Sequence, residues 1–489
     1  MLSRVRFSIY RRLLAILTWL GFRSQRVEAI QPPTETEARY RPFAESFPEM
    51  PVPGLFDPLD FPAADLPRLE RIAQQKKLLR FLRRIAPATT PPVPADEARL
   101  IALLYPRSFR RSWGTAPRVA AALRADDVIA ALAVEGPFAS YLRADPSDGT
   151  YTIDVSWMLR YEPHAGLLPV GGRAVLEVRD GRLRTVALPS VERDALLAGL
   201  HEDLTTFRHN LSVHLATLTS FALASTNHLG VDHPIRRLLH PCFHTVLIGN
   251  REVAEQQLSG PLGFAAMNFS HDAPALARMA TDHLGRYDFW DFEPDTHFAR
   301  RGTTETPFAY PYRDNVLELW RATRAYVDTY LGLYYRDDDA ISADAAIAAW
   351  LAALDRLLPN GVSLPNGAVS PAWVARLCAT VIHVSTVEHD YLNNLVWDYS
   401  PIGSLLPQVV PSSGQRMDQR RAFDLVATLI GTWKPYNMLL TADVPSLALD
   451  APARQAMTDW IAELRRIQSS MPEGRPVSYP ADLNISISN

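Results

Sequence analysis

The chain contains few cysteines and few lysines for its length. Its two cysteines, Cys242 and Cys378, cannot build a disulfide framework, and they stand too far apart for a zinc-binding spacing. We therefore expect a protein of a reducing compartment. Lysine occurs only at Lys76, Lys77 and Lys434, and the formal net charge is -3 at pH 7, so the composition argues against a nucleic-acid-binding surface.

The first 30 residues lack both acidic charge and a membrane-spanning length of apolar chain. Six arginines and no acid precede Glu28, and they surround the apolar run LLAILTWLGF, which is too short to cross a bilayer. We expect residues 1–30 to form a basic amphipathic helix that lies on a membrane surface or docks on the protein body. The alternative is a signal peptide with a cleavage site near Ala29. The first interpretation predicts a cytoplasmic protein with peripheral membrane contact, and the second predicts secretion.

The remaining chain is typical of a helical globular protein with a small β element. Hydrophobic residues make up 47% and charged residues 21% of the sequence. Helical periodicity surrounds one alternating region, TYTIDVSWMLRY followed by GGRAVLEVRDGRLRTVALP, in which RDGR predicts the turn of a β-hairpin. The predicted organisation is a basic N-terminal helix over 1–30, a proline-rich wrapping segment with helices over 31–124, and a large, mainly α domain over 125–489.

Histidines are concentrated in one otherwise apolar stretch. Seven of the thirteen histidines lie in the stretch from His201 to His244, which begins with HEDLTTFRHNLSVH and ends with HPCFH. Imidazole is the commonest metal ligand in proteins near neutral pH. His209 and His214 stand five apart, which separates them by about 140° on a regular α-helix. One ion can therefore bind both only if a π-bulge adds a residue to the turn. His240 and His244 have the cleaner spacing of four, but Pro241 interrupts their helix.

A second candidate lies far downstream, in HVSTVEHDYLNN. His389 and Asn393 stand four apart there and would share one helix face. The carboxylate of the final residue, Asn489, follows an apolar and hydroxylic tail, and we expect these places to contribute to one site. Neutral imidazoles with one amide and one carboxylate suit iron better than magnesium or calcium. We expect the other histidines of the cluster to be structural, and these are His201, His228, His233, His240 and His244.

Several motifs follow one another along the chain: RHNLSVH, NHLGVDHPIRRLLHPCF with TVLIGN, FAYPYRDNVLELW, EHDYLNN and the terminal ISISN. Together they resemble the lipoxygenases, whose long histidine motif, YPY segment, second ligand helix and terminal SIS they match in order. The resemblance extends over about residues 125 to 489. We expect the chain to lack the N-terminal β-sandwich that animal and plant members of the family carry.

The resemblance implies a fold, a metal and an activity. The fold would be a large helical catalytic domain with a small β element and a metal site between two long central helices. Iron, with manganese as the alternative metal, would be held by His209, His214, His389, Asn393 and the main-chain carboxylate of Asn489. The implied reaction removes a hydrogen atom from a polyunsaturated fatty acid such as linoleate or arachidonate and inserts O2 to give a hydroperoxide. We expect a monomer whose partners are an apolar lipid substrate and O2, without nucleic acid.

Departures from the family pattern keep two other functions open. Asn489 replaces the usual terminal isoleucine, and Val253 falls where the family usually has glycine or alanine to admit oxygen. Gln257 and Phe264 fall where the substrate pocket usually has an apolar lining. These differences leave open an iron oxygenase that acts on a specialised metabolite instead of a fatty acid. They also leave open a catalytically silent lipid-binding homologue.

Overall fold

The computed structural model describes most of the chain from residue 121 onward. The described residues are 5, 9, 12–13, 30–34, 41–42, 56–57, 121–189, 191–258, 263–365, 368–395, 399–400, 402–414, 438–471, 480 and 483–487. The predicted N-terminal helix over 1–30 and the wrapping segment over 31–124 therefore lie almost entirely outside them. The division into three regions stays a prediction.

The predicted β element is present as an antiparallel sheet. The described strands are β1 (Arg41–Pro42), β2 (Phe56–Asp57), β3 (Arg143–Ala144), β4 (Tyr151–Asp154), β5 (Arg173–Arg179) and β6 (Arg182–Ala187). β1 pairs with β2, and the other four form one sheet in chain order. The predicted hairpin joins β5 to β6, where Asp180 and Gly181 have φ values of 52° and 71°. Two consecutive positive φ angles are typical of a type I′ turn, so the RDGR prediction is confirmed.

The alternating segment TYTIDVSWMLRY forms a strand only in its first half. β4 ends at Asp154, and Ser156–Arg160 form a 3₁₀ helix. The Asp154 carboxylate accepts hydrogen bonds from the backbone N–H and the hydroxyl of Ser156, at 2.8 and 2.6 Å. Such a local side-chain bond competes with strand pairing and turns the chain. The prediction of continued alternation was therefore wrong after Asp154.

Helices make up most of the rest of the described fold, so the predicted mainly α class is confirmed. The α-helices are α1 (Val128–Val134), α2 (Arg193–Glu202), α3 (Thr219–His228), α4 (Pro234–Leu239), α5 (Val246–Glu252), α6 (Phe264–Asn268), α7 (Ala273–Leu284), α8 (Pro294–Arg300), α9 (Pro311–Gly332), α10 (Asp338–Ser342), α11 (Ala345–Leu357), α12 (Pro371–His383) and α13 (Ala451–Ser470). The π-helices are π1 (Asp203–Leu218), π2 (Val253–Leu258), π3 (Val384–Glu388) and π4 (Tyr391–Leu395). Further 3₁₀ helices are Ala139–Tyr141, His240–Phe243, Phe289–Phe292 and Val444–Leu447.

One continuous helix, composed of α2, π1 and α3, runs through the core. From Ala195 to Ser225 every residue is buried except Arg208, which is partly buried. The sequence explains this burial, because most side chains of this helix are apolar or small, and they are spread over all of its sides and not along a single stripe. The helix therefore places any polar group it carries in a water-poor environment.

A second long helix, composed of α12 and π3, contacts π1. Ser370 caps its start by accepting a hydrogen bond from the Trp373 N–H at 3.2 Å, and Pro371 occupies the first turn. α9 packs against both α12 and α13, and Tyr326 of α9 stacks on Trp460 of α13 with ring centroids 4.6 Å apart. α9 therefore links the second long helix to α13.

None of the described helices has both the length and the apolar composition that a membrane crossing requires.

Candidate metal centre

Three histidines converge in the core. The His214 Nε2 atom lies 3.1 Å from the Nε2 atom of His209 and 3.1 Å from the Nε2 atom of His389. All three residues are buried, and their candidate ligand atoms lie within 4.8 Å of one another. Within the described ranges, this trio is the one group of histidine, cysteine or carboxylate side chains with the geometry to hold a metal ion. The structure thus brings together three of the five predicted ligands.

The π-helix π1 explains how two histidines five apart reach the same point. Each turn of a π-helix contains one residue more than the i→i+4 turn of an α-helix, so residues five apart share a face. His209 and His214 both lie within π1, which continues for 16 residues. The prediction that a π-type turn is needed at this spacing is confirmed, although the π geometry extends far beyond a single bulge.

Threonine hydroxyls bond to carbonyl groups along π1. The Thr217 hydroxyl donates to the Ser212 carbonyl at 2.7 Å, and the Thr219 hydroxyl donates to the His214 carbonyl at 3.0 Å. Both bonds run to the residue five positions earlier, which matches the repeat of the helix. They stabilise the wide turn directly below the second histidine.

Asn250 of α5 orients His214. The His214 Nδ1–H donates to the Asn250 Oδ1 atom at 2.8 Å, and the Asn250 amide donates back to the His214 carbonyl at 2.6 Å and to the Thr219 hydroxyl at 2.8 Å. With the proton on Nδ1, the lone pair of Nε2 points toward the other two histidines. Asn250 is absent from the predicted site, although the motif TVLIGN ends on it. That motif was the available signal.

The trio is electrically neutral at physiological pH. Burial lowers the pKa of His214 to about 4, and the hydrogen bond to Asn250 offsets only part of this effect. Burial, followed by the neighbouring imidazole of His214, holds the pKa values of His209 and His389 well below the ordinary range. Each ring therefore offers a lone pair. Converging lone pairs repel unless a cation lies between them, and neutral nitrogen donors fit a first-row transition metal better than calcium or magnesium.

The other two predicted ligands have different positions relative to the described residues. Asn393 is buried in π4, which contacts π1, and its role as a ligand stays a prediction. Asn489 lies outside the described residues. The tail just before it is held beside the second ligand helix, because the Ser385 hydroxyl donates to the Ile485 carbonyl at 2.8 Å. The Ser486 hydroxyl donates to the His244 carbonyl at 3.1 Å.

A buried ion pair links the two ligand helices. The Arg208 Nη2 atom lies 2.9 Å from the Glu388 Oε1 atom, and the two side chains are 13% and 6% exposed. Arg208 also donates to the Ser140 hydroxyl at 2.9 Å, and its guanidinium lies 5.1 Å from the centre of the Tyr141 ring. Burial alone would lower the pKa of Arg208, but the charge of Glu388 raises it, so the arginine is charged.

Asp203 extends this network at the start of π1. The Tyr141 hydroxyl donates to the Asp203 Oδ2 atom at 2.5 Å. Burial raises the pKa of Asp203 to about 6, while Tyr141 and Arg208 counteract part of that rise. The network therefore surrounds one end of π1 with charged and polar groups.

Three of the histidines that were predicted to be structural have protein partners outside the trio. His201 contacts the Ser400 hydroxyl at 3.0 Å, His233 contacts the Asp344 carboxylate at 3.1 Å, and His240 contacts the Gln31 carbonyl at 2.8 Å. None of the five belongs to the trio. These contacts agree with a structural role.

The predicted pocket residues lie on π2, which contacts π1, and on α6, which contacts π2. Val253 begins π2 and is buried, and π2 contacts π1. Gln257 of π2 is half-buried, and Phe264 at the start of α6 is buried. Their contact with a substrate stays a prediction.

Comparison with known proteins shows which family this chain resembles. The family model described as Lipoxygenase matches residues 197–400, a range that includes all three histidines. Linoleate 9/13-lipoxygenase of Pseudomonas aeruginosa is 35% identical over 154 residues, which cover 29% of this chain and 22% of that protein. This chain is similar to the lipoxygenases. Human hydroperoxide isomerase ALOXE3 is 25% identical over 242 residues, which cover 49% of this chain and 33% of that protein.

Solved lipoxygenase structures share the fold. A lipoxygenase deletion variant in complex with arachidonate matches with a TM-score of 0.74 at 16% identity, covering 92% of this chain and 79% of that one. A coral 8R-lipoxygenase matches with a TM-score of 0.73 at 15% identity, with the same coverage. At these identities the likeness concerns the fold alone. The sequence alignments span a third or less of the two curated proteins named above, so the activity and the substrate of this chain have to be established on the chain itself.

Proposed function

We propose that this protein is a non-haem iron dioxygenase that inserts O2 into a polyunsaturated fatty acid. The observation that carries the proposal is the buried trio His209, His214 and His389, in which three neutral nitrogen donors converge. The name of the Pseudomonas aeruginosa relative includes linoleate, and one structural relative was crystallised with arachidonate. These relatives support a fatty acid as the substrate.

The donor set favours iron, with manganese as the alternative. Three imidazoles leave room for weaker ligands, and we propose that Asn393 and the carboxylate of Asn489 complete the set. Bound there, iron would supply the one-electron chemistry that removes a hydrogen atom from a weak carbon–hydrogen bond. The overall reaction joins one O2 to one C–H bond to give a hydroperoxide, so it needs no further oxidant or reductant.

The residues of the chain would hold the metal rigidly and keep water away from the reacting carbon. Asn250 fixes the ring of His214 through its Nδ1–H, and the ion pair of Arg208 with Glu388 joins the two helices that carry the trio. The helix that carries His209 and His214 is buried from Ala195 to Ser225 except at Arg208, and a water-poor site protects a carbon radical from side reactions.

Metal analysis and oxygen uptake test the proposal together. Purified protein should contain about one iron per chain, and iron-loaded protein with linoleate should consume O2 while a conjugated diene absorbance appears. His389→Ala should abolish both. If fully loaded protein consumes no O2 with linoleate or arachidonate, the fatty-acid dioxygenase proposal fails. If the purified protein binds no transition metal, the alternative function, that of a catalytically silent lipid-binding protein, replaces the dioxygenase proposal.

A further inference from the structure

Polar side chains on π1 fall into rows of residues five apart, and most rows have protein partners. His209 and His214 form the row that faces the metal centre. The other partnered side chains are Asp203 with Tyr141, Arg208 with Glu388, Ser212 with His283, and Thr217 with Tyr287. These contacts account for three sides of the helix.

The row formed by Thr205 and Asn210 is different. Asn210 is 1% exposed, and neither its Oδ1 nor its Nδ2 atom has a hydrogen-bond partner among the described residues. The buried hydroxyl of Thr205, five residues earlier on the same face, also has none. Buried amides in folded proteins are nearly always hydrogen-bonded, so an amide with both ends unpartnered indicates a group that a ligand completes.

Asn210 directly follows His209 in the chain. Asn210 therefore lies on the row of π1 next to the row that carries His209 and His214 and faces the metal centre. A substrate whose reacting carbon approaches the trio therefore brings its neighbouring atoms close to this row.

We propose that Asn210 binds a hydroxyl or hydroperoxyl group on an acyl chain that is already oxygenated near its reacting carbon. This inference rests on the proposed function and narrows its substrate class. The amide offers N–H donors at Nδ2 and an acceptor at Oδ1, and a hydroxyl or hydroperoxyl group can accept from Nδ2 while it donates to Oδ1. An unsubstituted hydrocarbon chain leaves both atoms without a partner.

A carboxylate is a poorer match for this row. It accepts hydrogen bonds but donates none, so it would leave the Asn210 Oδ1 atom unsatisfied. It would also need a compensating charge, because an unpaired buried anion is costly. Arg208, two positions earlier, is already paired with Glu388 and belongs to another row of the helix.

Equilibrium binding tests the inference without relying on turnover. The affinities of linoleic acid and of hydroxyoctadecadienoic acid, which has one hydroxyl beside its diene, are measured by titration calorimetry on iron-loaded protein under argon. The wild-type protein should bind the hydroxy acid at least roughly tenfold more tightly, because a buried hydrogen bond discriminates by about that factor. In Asn210→Leu the ratio of the two affinities, hydroxy acid to linoleic acid, should fall to about one. This fall should come from weaker binding of the hydroxy acid alone.

Two further variants keep the result interpretable. Thr206→Val removes another buried and unpartnered hydroxyl from a different row of π1, and it should leave the ratio at its wild-type value. Asn210→Ala serves if the leucine variant does not fold, with the same loss of discrimination expected. The leucine variant should also melt at a higher temperature than wild type in the absence of lipid, because an unsatisfied amide has been removed.

The outcomes separate this inference from the proposed function. Equal ratios in wild type and Asn210→Leu, or a wild-type ratio of one, would overturn the inference even if linoleate is oxygenated. Selective binding that depends on Asn210, without O2 uptake on either acid, would retain the inference and remove the dioxygenase proposal.

Discussion

Arg208 and Glu388 form a buried ion pair in which each residue directly precedes a histidine of the metal centre. The pair joins Nη2 to Oε1 at 2.9 Å across two helices that are far apart in sequence. Because His209 and His389 follow at once, any shift of one helix against the other changes both the ion pair and the distance between the two imidazoles. The pair therefore helps to fix the relative position of the two helices beside the site.

Removal of one partner of this pair should destabilise the protein strongly. Glu388→Leu or Arg208→Met leaves a buried charge without compensation, which typically costs about 3–5 kcal/mol. The double variant removes both charges and should regain most of that loss. Urea denaturation of the four proteins measures the effect. Single variants within about 0.5 kcal/mol of wild type would show that the pair contributes little.

Alanine at His214 should abolish metal binding, because one of the three converging donors is lost. His240→Ala provides the matched control, since that imidazole contacts the Gln31 carbonyl and is outside the trio. Metal content after dialysis against iron measures both. Equal metal loss in the two variants would mean that the wrong histidines have been assigned to the centre.

Asn250→Ala should weaken metal binding without abolishing it. Loss of the Nδ1 partner frees the ring of His214 to rotate, and such supporting residues typically contribute about 10- to 100-fold in metal affinity. Asn268→Ala is the control, because this buried amide donates to the Phe264 carbonyl and not to a histidine of the trio. A competition titration with a chelator gives the affinities. An unchanged affinity in Asn250→Ala would contradict the orienting role.

Stability should fall as the pH drops below about 6.5. Burial lowers the pKa of His201 to about 4 and the pKa values of His283 and His383 to about 3. Below pH 6.5 these histidines take up protons in the unfolded chain but not in the folded protein. Each of them therefore lowers the free energy of unfolding by up to about 1.4 kcal/mol per pH unit, until the pH reaches its pKa in the folded protein. Asp203 acts in the opposite direction, because its raised pKa adds stability as the pH falls below about 6.

Denaturant unfolding of metal-free protein at several values between pH 7 and pH 4.5 checks this dependence. His383→Leu should flatten the slope by up to the contribution of one group. A free energy of unfolding that stays constant over this range would contradict the neutral, buried state of these histidines.

Gly199→Ala should destabilise the core. Gly199 lies in α2 directly against Gly171, and an added Cβ atom would come within 2.5 Å of the Gly171 Cα atom. Backbone cannot yield cheaply, so we expect a loss of about 1–3 kcal/mol. Gly332→Ala, in α9 with open space around it, is the control and should be neutral or slightly stabilising. Equal melting temperatures would show that α2 can move away from Gly171.

Local patterns in the sequence were sufficient to predict several features. The RDGR turn, the mainly α class and the need for a π-type turn between His209 and His214 depend on residues close together in the chain. Motif order was also enough to bring His389 into the predicted ligand set. Physical rules of spacing apply to such features directly, because covalent connection limits where near neighbours can lie.

Other features depended on contacts between distant segments. The partnership of His214 with Asn250 and the pairing of Arg208 with Glu388 join residues that no periodicity relates. The unpartnered state of Asn210 likewise follows only from what every neighbouring element does or does not offer. The sequence by itself determined which donors the chain owns and how adjacent ones can be spaced. Only the tertiary structure decided which of them meet, because burial and packing select partners across the whole chain.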